Sequence, residues 1–278
     1  MPRRHRLIAA AIALLTAVPA SAAPRSKAAT GPIADQVEAA IAGGSQRFDH
    51  RAWSTLLAGA VDEQGRVDYR FLQTRRADLD RYLGALAAVN LSKLAPAELE
   101  ALLINAYNAI TVASILTHPG VTTIRDIDGV WDEAEHRVGG FEITLDDIEH
   151  TLLRPFFRDP RIHFAVNCAS ASCAPLPRWA FEGATLDRQL DERARLYLSD
   201  QRNARLEGGT LMLSRYFDWY GGDFTAEGWK PRAATIPEFV AMYSTAEVAA
   251  RIRAAGPLEL EFFDYDWALN ASVPPRSR

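Results

Sequence analysis

The most continuous apolar pattern in the chain runs from Pro96 to Thr117, where PAELEALLINAYNAITVASILT places a hydrophobic residue on nearly every step. Spacing the residues about 100° apart sets Ala101, Ile104, Val112, Ile115 and Leu116 on one side and Leu99, Leu103 and Ile110 on the other. A helix that is apolar nearly all round belongs inside a protein. Pro96 suits its first turn and His118-Pro119-Gly120 stops it, so a buried central helix is predicted over 96–117. Asn105 and Asn108 fall inside its apolar arc. A buried amide left unpaired costs on the order of 1–3 kcal/mol, so both need partners, either loop backbones or a reacting group.

Shorter patterns surround this helix. His136 to Ile143 alternates around Gly139-Gly140 and reads as a hairpin, and Ala204 to Leu213 does the same around Gly208-Gly209. Thr144-Leu-Asp-Asp147 opens a helix with a capping-box pattern. Leu145, Ile148, Leu152 and Leu153 then share one face, with Glu149 among them and His150 at the edge. Gly65 to Tyr69, Ile162 to Val166 and Leu258 to Tyr265 read as strands. Leu186 to Leu198 and Thr235 to Tyr243 read as helices, and Ser214 can cap a further one. Hairpins and helices without a regular strand-helix repeat indicate α+β. The expected architecture is a single domain with a mainly antiparallel sheet of hairpins packed against a buried central helix and further helices.

The ends of the chain set its boundaries. Arg3, Arg4, His5 and Arg6 precede the apolar run Leu7–Val18 and the small residues Ala20-Ser21-Ala22, the layout of a secretory signal peptide over 1–22. The Arg3-Arg4 pair also fits twin-arginine export. Residues 23–31 read as a flexible tail, and 32–278 as one globular domain. The protein is therefore expected to be periplasmic or secreted. The apolar leader is too short to cross a bilayer, and no later segment is expected to span one.

Composition narrows the function. With 48% hydrophobic and 24% charged residues the 278-residue chain can bury a core, and its mean hydropathy is −0.12. Its net charge of −4 becomes more negative once Arg3, Arg4 and Arg6 leave with the leader. No basic stripe remains, so nucleic acid is not an expected partner, whereas a small molecule or a peptide is. Nucleotide-loop, nucleophile-elbow, zinc-protease and EF-hand patterns are all missing from the sequence. No cofactor is called for.

The two cysteines, Cys168 and Cys173, enclose four small residues. In an exported protein they can close a local disulfide. They can instead supply a thiolate nucleophile activated by histidine, or two ligands of a zinc site completed by His150 and His163. With Ile162 to Cys168 extended, His163 and Cys168 would lie roughly 17 Å apart at about 3.3 Å per residue. The base for Cys168 would then be His150 or His136, while Cys173, in its loop, could approach His163. The candidate catalytic set is Glu149, His150, His163, Cys168 and Cys173, and the candidate binding set is Asn105, Asn108, His136 and Asn167; no metal set is assigned. His50 and His118 read as surface or loop residues, and Trp219-Tyr220 as core.

Four motifs in order, LLINAYNA from Leu102, LDDIEH from Leu145, DPRIHFAVNCASASCAPL from Asp159 and LSRYFDWYGGDF from Leu213, resemble the family called domain of unknown function 547. The resemblance covers about residues 65–224. The family's C-P-P-L ending stands here as C-A-P-L. It implies no settled activity or substrate. The chemistry read from the residues is that of a Cys/His hydrolase or acyl transferase on a peptide or amide, similar in logic to papain-like and transglutaminase-like enzymes. The alternative is a non-catalytic envelope binding protein with a structural Cys168–Cys173 disulfide.

Overall fold

The computed structural model describes residues 31–272, so the expected leader 1–22 and nearly all of the expected tail 23–31 lie outside the described residues. Four helices, α1 (Pro32–Gly43), α2 (Arg51–Ala60), α3 (Tyr69–Thr74) and α4 (Arg76–Ala88), lead into α5 (Pro96–Thr117). Every residue of α5 from Glu98 to Leu116 is buried, as the all-round apolar pattern predicts. It is the one described helix long and apolar enough to cross a bilayer, and 94% of its most apolar window is buried inside the protein. Around it Trp53, Leu57, Leu79, Leu86 and Leu152 form the first hydrophobic cluster. His50, read as a surface or loop residue, does lie in the loop before α2 but is buried there: it is 2% exposed, with Nδ1 2.8 Å from the Tyr82 hydroxyl and Nε2 3.3 Å from Glu98.

Strands β1 (His136–Val138) and β2 (Phe141–Ile143) pair antiparallel about Gly139-Gly140. Both glycines take positive φ, +62° and +87°, which a two-residue hairpin turn of this kind requires. Thr144 then caps the next segment reciprocally. Its N–H donates to Asp147 Oδ2 at 3.0 Å, and the Asp147 N–H donates to Thr144 Oγ1 at 3.1 Å. The segment Asp147–Leu153 winds as a π-helix, wider than the expected α-helix, before tightening into α6 (Arg154–Phe157).

The expected strand Ile162–Val166 is a 3-10 helix over Pro160–Phe164 instead. The Asp159 carboxylate accepts from the Arg161 N–H at 2.9 Å and Pro160 presets the first turn, so local capping overrides the β-favouring composition. Likewise, Val67 makes only isolated bridges, to Val61 and Ala271, and Tyr69 begins α3.

The second half comprises α7 (Leu186–Ser199), β3 (Ala204–Glu207), β4 (Thr210–Leu213), α8 (Tyr216–Trp219), α9 (Gly221–Thr225), α10 (Ile236–Tyr243), α11 (Ala246–Ala254) and β5 (Glu259–Phe262), with α10 packed on α7, α9 and α11. Its core gathers Tyr197, Leu213, Phe217, Phe224 and Phe239. The expected hairpin forms between β3 and β4, while β5 joins β4 in parallel, Leu211 opposite Leu260, after the crossover through α8–α11. The fold is α+β with its strands in two small sheets.

The last described segment turns back over the first half. Ala268 O accepts from the Ala171 N–H at 2.7 Å, the Asn270 N–H donates to Ala169 O at 3.0 Å, and the Ser272 N–H donates to Val67 O at 3.0 Å. This strap lies across the loop that carries both cysteines.

Candidate active site

The loop from Asn167 to Ala174 is held by side chains of the core. Asn108 spans its entry, donating from Nδ2 to Ala165 O at 3.0 Å and accepting the Asn167 N–H at 2.8 Å. Asn167 closes the loop on itself by donating to Ala174 O at 2.8 Å, and its Oδ1 accepts from the Ala169 N–H and from Asn270 Nδ2. Ala169 takes φ +60°, a left-handed conformation that costs a residue with a Cβ on the order of 1 kcal/mol and survives only where neighbours enforce it. The result brings the two sulfurs together. Cys168 Sγ and Cys173 Sγ are free thiols 2.7 Å apart.

Around the sulfurs stand hydroxyls. Cys168 Sγ lies 2.9 Å from Ser170 Oγ and 3.2 Å from the Tyr265 hydroxyl, while Cys173 Sγ accepts from the Cys168 N–H at 2.8 Å and from Tyr216 at 3.3 Å. None of these partners is a histidine. Burial pushes the Cys173 thiol up, but the donors from Cys168, Tyr216 and Tyr265 outweigh it and bring its pKa down to about 6. Cys168 moves the opposite way, raised first by its hydrogen bond to Cys173 and then by burial. The pair therefore holds one proton between two sulfurs at neutral pH, as interacting acids do.

Both sulfurs open onto a cavity of about 400 Å³ that Glu149, His150 and His163 also line. All five candidate catalytic side chains thus meet in one pocket. The extended-strand separation of His163 and Cys168 does not apply, because the 3-10 helix and the left-handed turn fold the segment back. His163 sits on that helix with its side chain 1% exposed, stacked on Tyr220 at 4.0 Å. Its Nε2 lies 2.9 Å from Asp223 Oδ2, and Arg154 grips the same carboxylate through Nε at 2.6 Å and Nη2 at 2.8 Å.

Burial works to raise Asp223, yet His163 and Arg154 hold it below the usual carboxylate range. The ionised Asp223 accepts, so His163 Nε2 carries the proton. Its Nδ1 has no hydrogen-bond partner and faces Glu149 Oε1 at 3.8 Å. Glu149, 6% exposed, accepts from the Tyr220 hydroxyl. Arg154 Nη1 donates to His150 Nδ1 at 3.3 Å, which leaves the His150 proton on Nε2, 3.8 Å from Asp146.

The candidate binding residues do not line this pocket. Asn105 clamps residue 181 as Asn108 clamps the cysteine loop, donating to Phe181 O at 2.8 Å and accepting its N–H at 3.0 Å. Asn167 borders a second, wider groove of about 910 Å³ that also reaches Cys173. His136 stays in β1, where burial lowers its pKa against the nearby Glu142.

Sequence reasoning missed Asp223, Arg154, Asp146 and the aromatic wall. Trp219 and Tyr220, expected in the core, line the pocket with Trp131, Tyr265 and Trp267, and Trp219 is 43% exposed. The signal was present in YFDWYGGDF, where an acid closes an aromatic run, but spacing alone does not say that the run borders a cavity. Among the described residues no group of three His, Cys, Asp or Glu side chains is arranged to hold a metal ion.

Residues 91–198 match the family described as Protein of unknown function, DUF547, a narrower span than the motifs suggested. No curated protein and no solved structure matches the chain.

Proposed function

Over residues 91–198 the chain belongs to the DUF547 family, whose description assigns no reaction, so on the chemistry of the pocket we propose that the protein is an exported thiol hydrolase or acyl transferase acting on a peptide or amide. The observation that carries this reading is the meeting of a sulfur of lowered pKa with an unpartnered His163 Nδ1 in one cavity. The Cys173 thiolate attacks the substrate carbonyl carbon, and the C–N bond then breaks. The leaving amine takes a proton drawn from water through His163 Nδ1. The thioester is resolved by water or by a second amine, which returns the thiolate. Buried Tyr107 keeps its proton because burial raises it well above the ordinary phenol value, so it is a donor for the oxyanion. Arg154 orients the Asp223 carboxylate, and Asp223 fixes the His163 tautomer.

The 2.7 Å between the sulfurs favours one competing reading, a disulfide clip in a non-catalytic binding protein. Incubation of the reduced protein with p-nitrophenyl acetate separates the two. Thiol catalysis releases p-nitrophenolate and leaves one acetyl group on Cys173, located by peptide mass spectrometry and lost in Cys173→Ser. Absence of the acetyl group, together with no iodoacetamide labelling before reductant is added, leaves the clip.

A further inference from the structure

The pocket is acidic and aromatic at once. Asp132, Asp146 and Glu149 line it, and no Lys or Arg does. Arg154, beside it, is spent on Asp223 and stands 5.3 Å from the Tyr220 ring centre. Burial pushes the Asp146 carboxyl above its usual range. His150 opposes that shift, and the charges of Glu149, Asp132 and Asp147 add to it. Three carboxylates facing one cavity repel one another and are relieved by a positive guest.

The opposite wall suits the same guest. Trp131, Trp219 and Trp267 stand in contact, with Trp267 centred 6.1 Å from Trp131 and 5.9 Å from Trp219. Indole faces attract cations and bury alkyl chains. Arg125 already stands 5.2 Å from the Trp267 ring centre, whereas Trp131 and Trp219 carry no such cation among the described residues. A third, independent feature fixes the kind of cation. His163 Nδ1 is buried, unpartnered and an acceptor, so it needs an N–H donor.

We infer that this pocket takes a primary alkylamine, bound as its ammonium between the carboxylates and the tryptophans, as the acceptor of the acyl group. The acceptor role rests on the thiol acyl-transfer reading above; the binding does not. In the transfer step the ammonium gives a proton to His163 Nδ1 or Glu149, and its nitrogen attacks the Cys173 thioester carbon. The C–S bond breaks, sulfur leaves as thiolate, and the nitrogen passes its second proton to whichever of His163 Nδ1 and Glu149 did not take the first as the new amide forms. No oxidant or reductant is required.

Two measurements test this on the reduced full chain. Calorimetric titration with n-pentylamine, 1-pentanol and pentanoate reads binding alone, without any acyl donor. The amine should bind at least about tenfold tighter than the alcohol, with pentanoate weakest, and the double substitution Asp132→Asn with Asp146→Asn should remove that preference. Trp219→Leu, at an exposed position, should weaken the amine more than the alcohol. Equal binding of amine and alcohol, or tighter binding of pentanoate, overturns the inference whether or not the protein has a nucleophile. The second measurement adds n-pentylamine to the acetylated enzyme, where N-pentylacetamide is expected. An acyl-enzyme that forms but yields only acetate overturns the acceptor role, whereas failure to acetylate overturns the thiol reading and leaves the titration to decide the amine site.

Discussion

Tyr216 and Cys173 are joined by a single hydroxyl-to-sulfur hydrogen bond of 3.3 Å, and removing it has a defined sign. A donor to the charged form lowers an acid's pKa, so Tyr216→Phe should move the Cys173 value of about 6 upward by as much as about one unit, the worth of one such bond. The acid limb of iodoacetamide alkylation, or of kcat/KM once a substrate is in hand, should move to higher pH by the same amount. An unmoved limb would show that Tyr216 does not support the thiolate. Arg154 acts one residue further back. Because Asp223 is held below its ordinary pKa, its pairing contributes stability that is fully present above the usual carboxylate value and is lost as pH falls through the lowered one. Arg154→Leu should remove that contribution, costing about 1–3 kcal/mol near neutral pH in a half-shielded pair and little in acid. Parallel urea titrations at the two pH values check the difference. The sequence shows the cysteines and histidines by their rarity. It conceals Arg154 and Asp223 among many ordinary charges, because their importance comes from a contact between residues 69 positions apart.

The central helix carries its own pH dependence. Glu100 on α5 is buried, with Oε1 unpartnered, and burial, reinforced by Asp159, pushes its pKa up to about 8 against the pull of Arg161. A carboxyl raised in the folded state binds a proton that the unfolded chain has already released. Stability contributed by that proton is therefore complete below the ordinary value of 4.5 and declines as pH rises from there to about 8. Glu100→Gln should be nearly neutral at low pH and stabilise the protein near pH 7 by on the order of 2–4 kcal/mol. Thermal unfolding across that range reads it, and a constant difference at all pH values would place the carboxyl in water. Two turns on, Asn108→Leu should cost about 1–3 kcal/mol by stripping Ala165 O and the Asn167 N–H of their partner, and a loss of only a few tenths would mean that the clamp contributes nothing. That α5 is buried, and that its asparagines need partners, is legible from periodicity. The 3-10 helix of Pro160–Phe164 was not, because the β-favouring run Ile162–Val166 is overruled by a cap at Asp159 that precedes it.

At the scale of the whole molecule, the pocket lies where three distant stretches meet. His163, Cys168 and Cys173 come from the family-matched stretch, Tyr216, Trp219 and Tyr220 from the second hydrophobic half, and Tyr265 and Trp267 from the returning strap. Alternation around Leu258 to Tyr265 reveals β5 but gives no sign that the chain beyond it recrosses the cysteine loop, since that contact depends on backbone groups of residues 122, 169 and 171. Asn270 is the side chain that locks the strap down. Its Oδ1 accepts from the Tyr69 hydroxyl at 2.7 Å, and its Nδ2 donates to Asn167 Oδ1 at 3.1 Å, so it ties the strap both to α3 and to the loop's own brace. Asn270→Ala removes both bonds and leaves two polar partners less satisfied in an 8% exposed position, which should cost about 1–3 kcal/mol. The more telling consequence is local. Tyr265 reaches Cys168 and Ser170 only while the strap is seated, so loosening it should speed hydrogen exchange at the amides of residues 268–272 and raise the alkylation rate of reduced Cys168 under native conditions. Exchange and alkylation that rise together identify the strap as the structural wall of the pocket. Faster exchange with unchanged thiol reactivity would show that the cysteine loop keeps its shape through Asn108 and Asn167 alone.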